Sequence, residues 1–354
     1  MSWWGVFATF TTSIAPLIAV VNHQGLFVTG LVSAIAIILY NIPVYFDIFR
    51  LYKRIGIKIE KPSILIGWNN FILSLALSGK GLLDSARQQG VRVILAPLVG
   101  AIDLVAFTTM RTGANVALQG LGTITSPMMP ELMNFLNEKN QNKSESAFAS
   151  VWAVLVVFMA PGVVILQIFI PSLFKIWTRG KVVFDPLLFA VLSMTVLIYA
   201  LAQPAIAIIT GNNKLKVQIK TSLITAFILI GSLLVLVPLF GIVGAALSLV
   251  LAELIDTQLY KIAAKKWLFE NGLQWPYQQS RIAAFSVFLS AIVLATLILF
   301  PTMKIIISMI ALSAFAWNIW RFYMHLPEIV INRLKGAIMK YNTNKEESQL
   351  HRKL

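Results

Sequence analysis

The sequence contains no cysteine among its 354 residues and only three histidines. Without cysteine it offers no disulfide and no thiolate ligand for zinc or an iron–sulfur cluster. Charged side chains are scarce as well, at 12% of the residues, whereas a soluble globular domain carries about 25%. Because hydrophobic residues make up 58%, the composition predicts that most of the protein surface faces lipid.

The apolar residues are gathered in long stretches of the length that crosses a bilayer. A transmembrane helix needs about 20 apolar residues, and these stretches lack the period-two alternation of membrane barrels. The sequence therefore predicts an all-α polytopic membrane protein with about ten transmembrane helices. The predicted spans are 4–21, 25–47, 64–98, 100–130, 147–171, 186–210, 217–239, 241–262, 281–300 and 302–322.

Two predicted spans, 64–98 and 100–130, are longer than one bilayer crossing requires. Helices of that length must tilt, extend beyond the membrane, or break. Glycine is the residue type expected at a break, and the candidate positions are Gly81, Gly90 and the Gly120-Leu121-Gly122 stretch.

Basic residues are distributed unevenly between the two sides of this map. Of the 29 lysines and arginines, 21 fall on the side of both chain ends, and four fall on the other side: Lys175, Arg179, Lys181 and Lys304. The positive-inside rule then predicts a protein of the cell inner (cytoplasmic) membrane with both termini cytoplasmic. We therefore interpret the formal net charge of +15 as charge that orients the chain in the membrane and contacts anionic lipids. No nucleic-acid partner is expected.

Motifs of enzyme active sites are missing from the sequence. The histidines His23, His325 and His351 are far apart, and neither a His-Glu-x-x-His nor a Gly-x-Ser-x-Gly motif occurs. Ser78-Gly79-Lys80 lacks the upstream glycine and the following hydroxyl residue of a Walker A loop. We therefore expect neither an enzyme nor a cofactor.

One segment, 80–92, departs from the apolar background. Lys80, Asp84 and Arg87 are spaced i, i+4 and i+7, so they share one face of a helix, and Asn69 falls on the same stripe. A charge at the centre of the bilayer costs at least about 2.5–3.5 kcal/mol, so such side chains face a protein interior or an aqueous cavity. The pattern predicts a polar cavity inside the membrane.

Positive charge exceeds negative charge in this segment. One carboxylate, Asp84, cannot neutralise the three cations Lys80, Arg87 and Arg92, so the surplus requires water or an anionic ligand. Gln88 flanks the stripe, whereas Arg92 is turned away from it. Asp84 is interpreted either as an ion-coupling or orienting group, or as one half of a structural ion pair with Lys80 or Arg87.

Arg111 lies in the middle of the next predicted span, close in sequence to Thr109, Thr112 and Asn115. It either extends the same cavity or pairs with Asp103 further along its helix, and the sequence leaves both possibilities open. No metal site is predicted. The predicted substrate-binding residues are Lys80, Arg87, Arg92, Arg111, Asn69 and Gln88, with Asp84 as the ion-coupling or orienting residue.

The passage from Asn70 to Phe107 resembles the seventh-to-eighth helix region of the multidrug/oligosaccharidyl-lipid/polysaccharide exporter superfamily. There a long helix ends in a Leu-Gly step, similar to Leu98-Val-Gly100, and the next begins with a Val-Ala-aromatic step, similar to Val105-Ala-Phe107. The O-antigen flippase branch is the most similar. Further motifs that resemble this superfamily are Pro127-Met-Met-Pro130-Glu131-Leu132, Phe174-Lys-Ile-Trp177-Thr, Ile209-Thr-Gly-Asn-Asn-Lys214 and Gly241-Ile-Val-Gly244-Ala-Ala.

The resemblance covers roughly residues 60–262 and implies one complete six-helix lobe with flanking helix pairs. Members of the superfamily have two such lobes, so the resemblance implies that the first four helices are missing from this chain. The implied domains are 1–60, two helices and a basic cytoplasmic loop left from a first lobe; 61–265, the six-helix lobe; 266–322, a connector and two further helices; and 323–354, a basic cytoplasmic tail.

The function implied by the resemblance is that of a flippase. It would move a polyprenyl-pyrophosphate-linked oligosaccharide, an O-antigen or other surface polysaccharide unit, across the cytoplasmic membrane by alternating access. The implied partners are the lipid-linked oligosaccharide, membrane lipids and the polysaccharide polymerase machinery. One alternative is a cation-coupled multidrug exporter, for which an acidic, aromatic-lined cavity is expected; another is a non-transporting membrane fragment.

Overall fold

The computed structural model describes residues 2–23, 25–56 and 63–331, of which the side chains at 2–7, 9, 10, 86–88, 124 and 127 are not described. These residues form helices and turns and contain no strand. The α-helices are α1 (Ser2–Val21), α2 (Leu26–Ile55), α3 (Ile64–Asn137), α4 (Gln141–Ala153), α5 (Ala160–Trp177), α6 (Pro186–Gly211), α7 (Leu215–Glu270), α8 (Tyr277–Leu299) and α9 (Lys304–Met324).

Two of these elements, α3 and α7, are each made of two helices joined at a glycine. Gly100 has φ 80° and ψ 173°, and Gly241 has φ 57° and ψ −139°. Glycine adopts such conformations without the steric penalty that a Cβ atom causes. The arms of the two elements run over 64–99 and 101–137 in α3, and over 215–240 and 242–270 in α7.

Seven helices of the described residues are long and apolar enough to cross a membrane. Two of the seven, α3 and α7, contain two arms each, and α1 includes the shorter apolar helix Thr11–Val21. Large apolar side chains cover the outside; Leu26, for example, is 94% exposed. A surface of this kind suits lipid and not water. The prediction of an all-α polytopic membrane protein is confirmed.

The helix break lies at the junction of the two long predicted spans and not at a glycine in the interior of either span. Helix α3 continues through Gly81, Gly90 and Gly120 and leaves helical geometry at Gly100. A glycine within a helix is tolerated when its backbone hydrogen bonds are kept. The helix ends at Asn137, beyond the predicted end at residue 130, so its second arm extends past the predicted span.

The chain divides into two compact units, Met1–Phe71 and Ile72–Leu354. In the first unit, α1 and α2 pack against each other. In the second unit the most extensive helix packing is between α6 and α7. Small residues let two helix backbones approach closely in lipid, where no hydrophobic effect drives them together. The buried alanines of these two helices are Ala190, Ala200, Ala202, Ala205, Ala207, Ala245, Ala246, Ala252 and Ala264.

Helix α7 turns back on itself at Gly241. A Cβ atom added at Gly244 would overlap the carbonyl oxygen of Leu236. In a straight helix two residues eight positions apart are separated by about 12 Å along the axis. The contact therefore requires a sharp reversal, which brings the beginning of the second arm against the end of the first.

Two polar links hold other parts of the second unit together. The indole Nε1 of Trp152 in α4 donates to the carbonyl oxygen of Leu201 in α6 over 3.1 Å. Between α8 and α9, Nδ2 of the buried Asn318 donates to the hydroxyl of Ser286 over 2.6 Å. Hydrogen bonds between helices of this kind stabilise helix association in lipid.

Candidate functional site

A cavity of about 350 Å³ lies between α3, α6 and α7 in the second unit. This volume falls within the range of small-molecule sites, about 300–1,000 Å³. We refer to it as the α3–α6–α7 cavity. Its lining residues are Lys80, Asp84, Asn115, Leu118, Leu121, Gly122, Thr195, Val196, Tyr199, Gln203, Ile206, Thr210, Ser222, Glu253, Asp256 and Tyr260.

Carboxylates outnumber cations in the lining of this cavity. Asp84, Glu253 and Asp256 contribute three carboxyl groups, and Lys80 is the one basic side chain among the described lining residues. Asp256 is 4% exposed. The sequence predicts surplus positive charge here, and the difference arises because the second arm of α7, distant in sequence, supplies two of the acids.

Asp84 is held from two helices. The ammonium of Lys80, one turn earlier in α3, donates to Oδ2 of Asp84 over 2.8 Å. The hydroxyl of Ser222, in the first arm of α7, donates to Oδ1 over 3.1 Å. The ion pair corresponds to one of the two interpretations that the sequence allows for Asp84. Since both carboxylate oxygens accept a hydrogen bond, the side chain is fixed at the wall of the cavity.

The second arm of α7 presents three polar side chains to the cavity. Glu253, Asp256 and Tyr260 are spaced i, i+3 and i+7, which places them on one face of the helix. All three interact with other groups of the protein. None of the three is among the site residues predicted from the sequence, although two acids one turn apart within the predicted span 241–262 are a usable signal, since ionisable residues are rare in such spans.

Helix α6 carries a polar stripe on the same cavity. Thr195, Tyr199 and Gln203 follow one another at intervals of four residues and therefore lie on one face. Nε2 of Gln203 is buried and has no hydrogen-bond partner among the residues that the structure describes. Buried polar groups in proteins are normally paired with protein or water. This amide is thus a donor available to a ligand or to a water in the cavity.

Of the residues that the sequence singles out, Lys80 and Asp84 line the cavity. Arg92 is exposed and Arg111 is half-buried, and neither contributes to the lining. Arg111 interacts with another group of the protein. A role of Arg92 or Arg111 in substrate binding stays a prediction.

The remaining predicted residues lie elsewhere or are not described. Asn69 is exposed and belongs to the first unit. Arg87 and Gln88 lie in the helical part of α3, and their side chains are outside the described residues. Their proposed contacts with a substrate stay predictions as well.

The cavity offers oxygen ligands and not the nitrogen and sulfur ligands of zinc or copper. Carboxylates, phenols, hydroxyls and amides suit hard cations, protons and organic ammonium groups. The described part of the chain contains no group of three or more His, Cys, Asp or Glu close enough to hold a metal ion. A cation at this site would therefore be bound by one or two carboxylates together with neutral oxygen atoms.

The chain matches no protein-family model, and neither a curated protein nor a solved structure matches it. The resemblance to the multidrug/oligosaccharidyl-lipid/polysaccharide exporter superfamily therefore stays a prediction. The basis for a functional interpretation is therefore the α3–α6–α7 cavity. Its lining is acidic and contains tyrosines, and it lies in an all-α polytopic membrane protein.

Proposed function

We propose that the protein is a cation-coupled membrane transporter and that the α3–α6–α7 cavity holds its coupling site. The observation that carries this proposal is the set of three carboxylates, Asp84, Glu253 and Asp256, around one cavity. Ionisable residues within membrane spans are costly, and those that occur commonly serve ion and proton pathways. An acidic cavity with tyrosines is also what an exporter of organic cations requires.

The coupling step is exchange of a cation at these carboxylates. A bound proton or monovalent metal cation neutralises part of the negative charge, and its release restores that charge. A ligand shifts a conformational equilibrium only as far as its affinity differs between the two states. The reversal of α7 at Gly241 brings Ser222 of its first arm and Glu253 and Asp256 of its second arm to the same cavity, so a change at the carboxylates acts on both arms.

A lipid-linked oligosaccharide flippase is the second candidate function. The observation that favours it is Lys80, whose ammonium lines the cavity and can bind a pyrophosphate group. In this version the cargo is a polyprenyl-pyrophosphate-linked oligosaccharide, and the polysaccharide polymerase machinery receives it. The three carboxylates then couple the flipping step to a cation gradient.

For location, we propose the cytoplasmic membrane with both chain ends on the cytoplasmic side. The support is the distribution of lysine and arginine, of which 21 fall on that side and four on the other. Cytoplasmic loops of membrane proteins carry an excess of these residues.

Transport in reconstituted vesicles tests the coupling proposal. The full chain is placed in liposomes, a proton or sodium gradient is imposed, and ethidium movement is followed by fluorescence. Glu253→Gln and Asp256→Asn keep the side-chain shape and remove the charge, so we expect gradient-driven transport to fall by at least about tenfold. The matched control is Glu270→Gln, at the exposed end of the same helix, which should transport like the wild type.

Wild-type transport by both cavity variants would refute the coupling proposal. The same vesicles distinguish the two cargoes when a fluorescent polyprenyl-pyrophosphate oligosaccharide replaces ethidium. A flippase requires Lys80 for the anionic group, so Lys80→Gln should slow oligosaccharide movement. If ethidium moves and the oligosaccharide does not, the exporter is the function.

A further inference from the structure

A second crevice, of about 320 Å³, lies beside the middle of α5, the start of α6, the end of α8 and the start of α9. Gln167, Asp185 and Lys304 line it, together with apolar residues such as Leu297 and Pro301. It shares no lining residue with the α3–α6–α7 cavity. We refer to it as the α5–α9 crevice.

The position of the crevice corresponds to the headgroup level of a bilayer. Helix α8 has 23 residues, and at a rise of about 1.5 Å per residue it spans about 35 Å. The hydrocarbon core is about 30 Å thick, so the ends of such a helix reach the polar interface. The crevice lies at the C-terminal end of α8, with its apolar residues on the membrane spans.

Gln167 leaves an acceptor without a partner at this crevice. The side chain is 8% exposed, and its Nε2 donates to the carbonyl oxygen of Pro186 over 2.9 Å. Its Oε1 is buried and accepts no hydrogen bond from the residues that the structure describes. Since buried polar atoms are normally paired with protein or with ordered water, Oε1 is an acceptor that a water or the N–H or O–H donor of a bound molecule can satisfy.

Charges of both signs lie beside this acceptor. Oδ1 of Asp185 accepts from the backbone N–H groups of Leu187 and Leu188 over 2.9 and 3.1 Å, so it caps α6 and its position is fixed. Lys304, at the start of α9, carries the positive charge. Neither group has an ion-pair partner among the described residues. The crevice is therefore complementary to a molecule with an ammonium at one end and an anion at the other.

We propose that the α5–α9 crevice binds the headgroup of a zwitterionic aminophospholipid, phosphatidylethanolamine in chemical terms. Its primary ammonium donates to Oε1 of Gln167 and lies near Asp185, and its phosphate contacts the ammonium of Lys304. The acyl chains follow the apolar surface that includes Leu297 and Ile168. Free phosphoethanolamine has the same charged groups and lacks the chains.

Native mass spectrometry of the purified full chain in detergent tests this site without any substitution. Phosphatidylethanolamine, phosphatidylcholine, phosphatidylglycerol and free phosphoethanolamine are added at equal concentration, and the bound fraction is measured. We expect phosphatidylethanolamine to bind most. Phosphatidylcholine should bind several-fold less because its quaternary ammonium has no N–H donor, and phosphatidylglycerol should do so because it has no cation. Equal retention of the three lipids would overturn the proposal.

Variants locate the binding in the crevice. Lys304→Gln removes the contact to phosphate, and we expect phosphatidylethanolamine binding to fall roughly tenfold, as for loss of a hydrogen bond to a charged group. The matched control is Lys175→Gln, an exposed lysine in the last turn of α5 that does not line the crevice. Equal losses in both variants would place the lipid elsewhere. Binding of free phosphoethanolamine as strong as that of the lipid would show a soluble-ligand site and overturn the lipid assignment.

Discussion

Asp84 lines the α3–α6–α7 cavity and contacts side chains of two helices, α3 and α7. Its ion pair with Lys80 is formed within one turn, and the two side chains are 40% and 21% exposed, respectively. An i, i+4 pair with this exposure contributes only about 0.3–0.5 kcal/mol to stability. The pair is thus weak as a structural lock, and the ammonium of Lys80 competes with any cation for the same carboxylate.

Removing this competitor should strengthen cation binding. In Lys80→Gln the positive charge beside Asp84 is lost, and two like charges near each other repel. We expect the cation concentration that gives half-maximal transport to fall by about twofold, the change that about 0.3–0.5 kcal/mol produces. Cation titrations of transport in reconstituted vesicles measure this value.

Lys266→Gln is the matched control for this prediction. Lys266 also faces an acid at i+4, Glu270, over 3.9 Å, and both side chains are mostly exposed outside the cavity. Its removal should leave the cation dependence unchanged. A value for Lys80→Gln equal to that of the wild type would show that Lys80 does not compete with the cation.

At the scale of the element, the reversal of α7 depends on the lack of a side chain at Gly244. A Cβ atom there would meet the carbonyl oxygen of Leu236, which belongs to the backbone and cannot rotate away. We expect Gly244→Ala to destabilise the protein by at least about 2 kcal/mol, the cost of overpacking. Thermal or denaturant unfolding in detergent measures the change.

Gly231→Ala provides the comparison within the same helix. No atom lies within 4 Å of a Cβ added at Gly231, and alanine favours helix over glycine by up to about 1 kcal/mol. This variant should therefore be as stable as the wild type or slightly more stable. Equal stability of the two alanine variants would contradict the sharp reversal at Gly241.

The sequence predicts where the two helix breaks lie, but it does not predict which other glycines stay helical. A junction near Gly241 follows from the end of one apolar stretch and the start of the next, and the break at Gly100 lies between two predicted spans for the same reason. That α3 stays helical through Gly81 and Gly90 does not follow from the sequence, because a helical glycine and a break have the same local composition.

At the scale of the whole molecule, orientation in the membrane is the property that transport direction depends on. The chain has no cysteine, so single cysteines at Lys181 and Lys214, both exposed, can be labelled selectively. In intact spheroplasts a membrane-impermeant maleimide should label position 181 and spare position 214, because basic loops stay in the cytoplasm. Both positions should react after the membrane is permeabilised.

The reverse pattern, with position 214 labelled and position 181 protected, would place both chain ends outside. It would also put the α5–α9 crevice at the cytoplasmic leaflet, because Lys304 and Lys181 are predicted to lie on the same side. The composition of the lipids that reach the crevice would change accordingly, while the cavity chemistry would stay the same.

The sequence by itself determined the class of the molecule. In lipid every backbone N–H and C=O must be paired within the chain, so long apolar stretches such as 186–210 have to be helices. The lengths of the stretches then define the spans. The contact of Lys80 with Asp84 belongs to the same level, since residues four apart on a helix are neighbours whatever surrounds them.

Tertiary structure alone decided which polar residues share a cavity. Glu253 and Asp256 join Asp84 only because α7 reverses at Gly241 and packs its small residues against α6. In the same way Gln167 in the middle of α5, Asp185 at the start of α6 and Lys304 at the start of α9 line one crevice. The rotation of each helix about its axis is set by contacts between residues distant in sequence, and periodicity within one helix contains no information about those contacts.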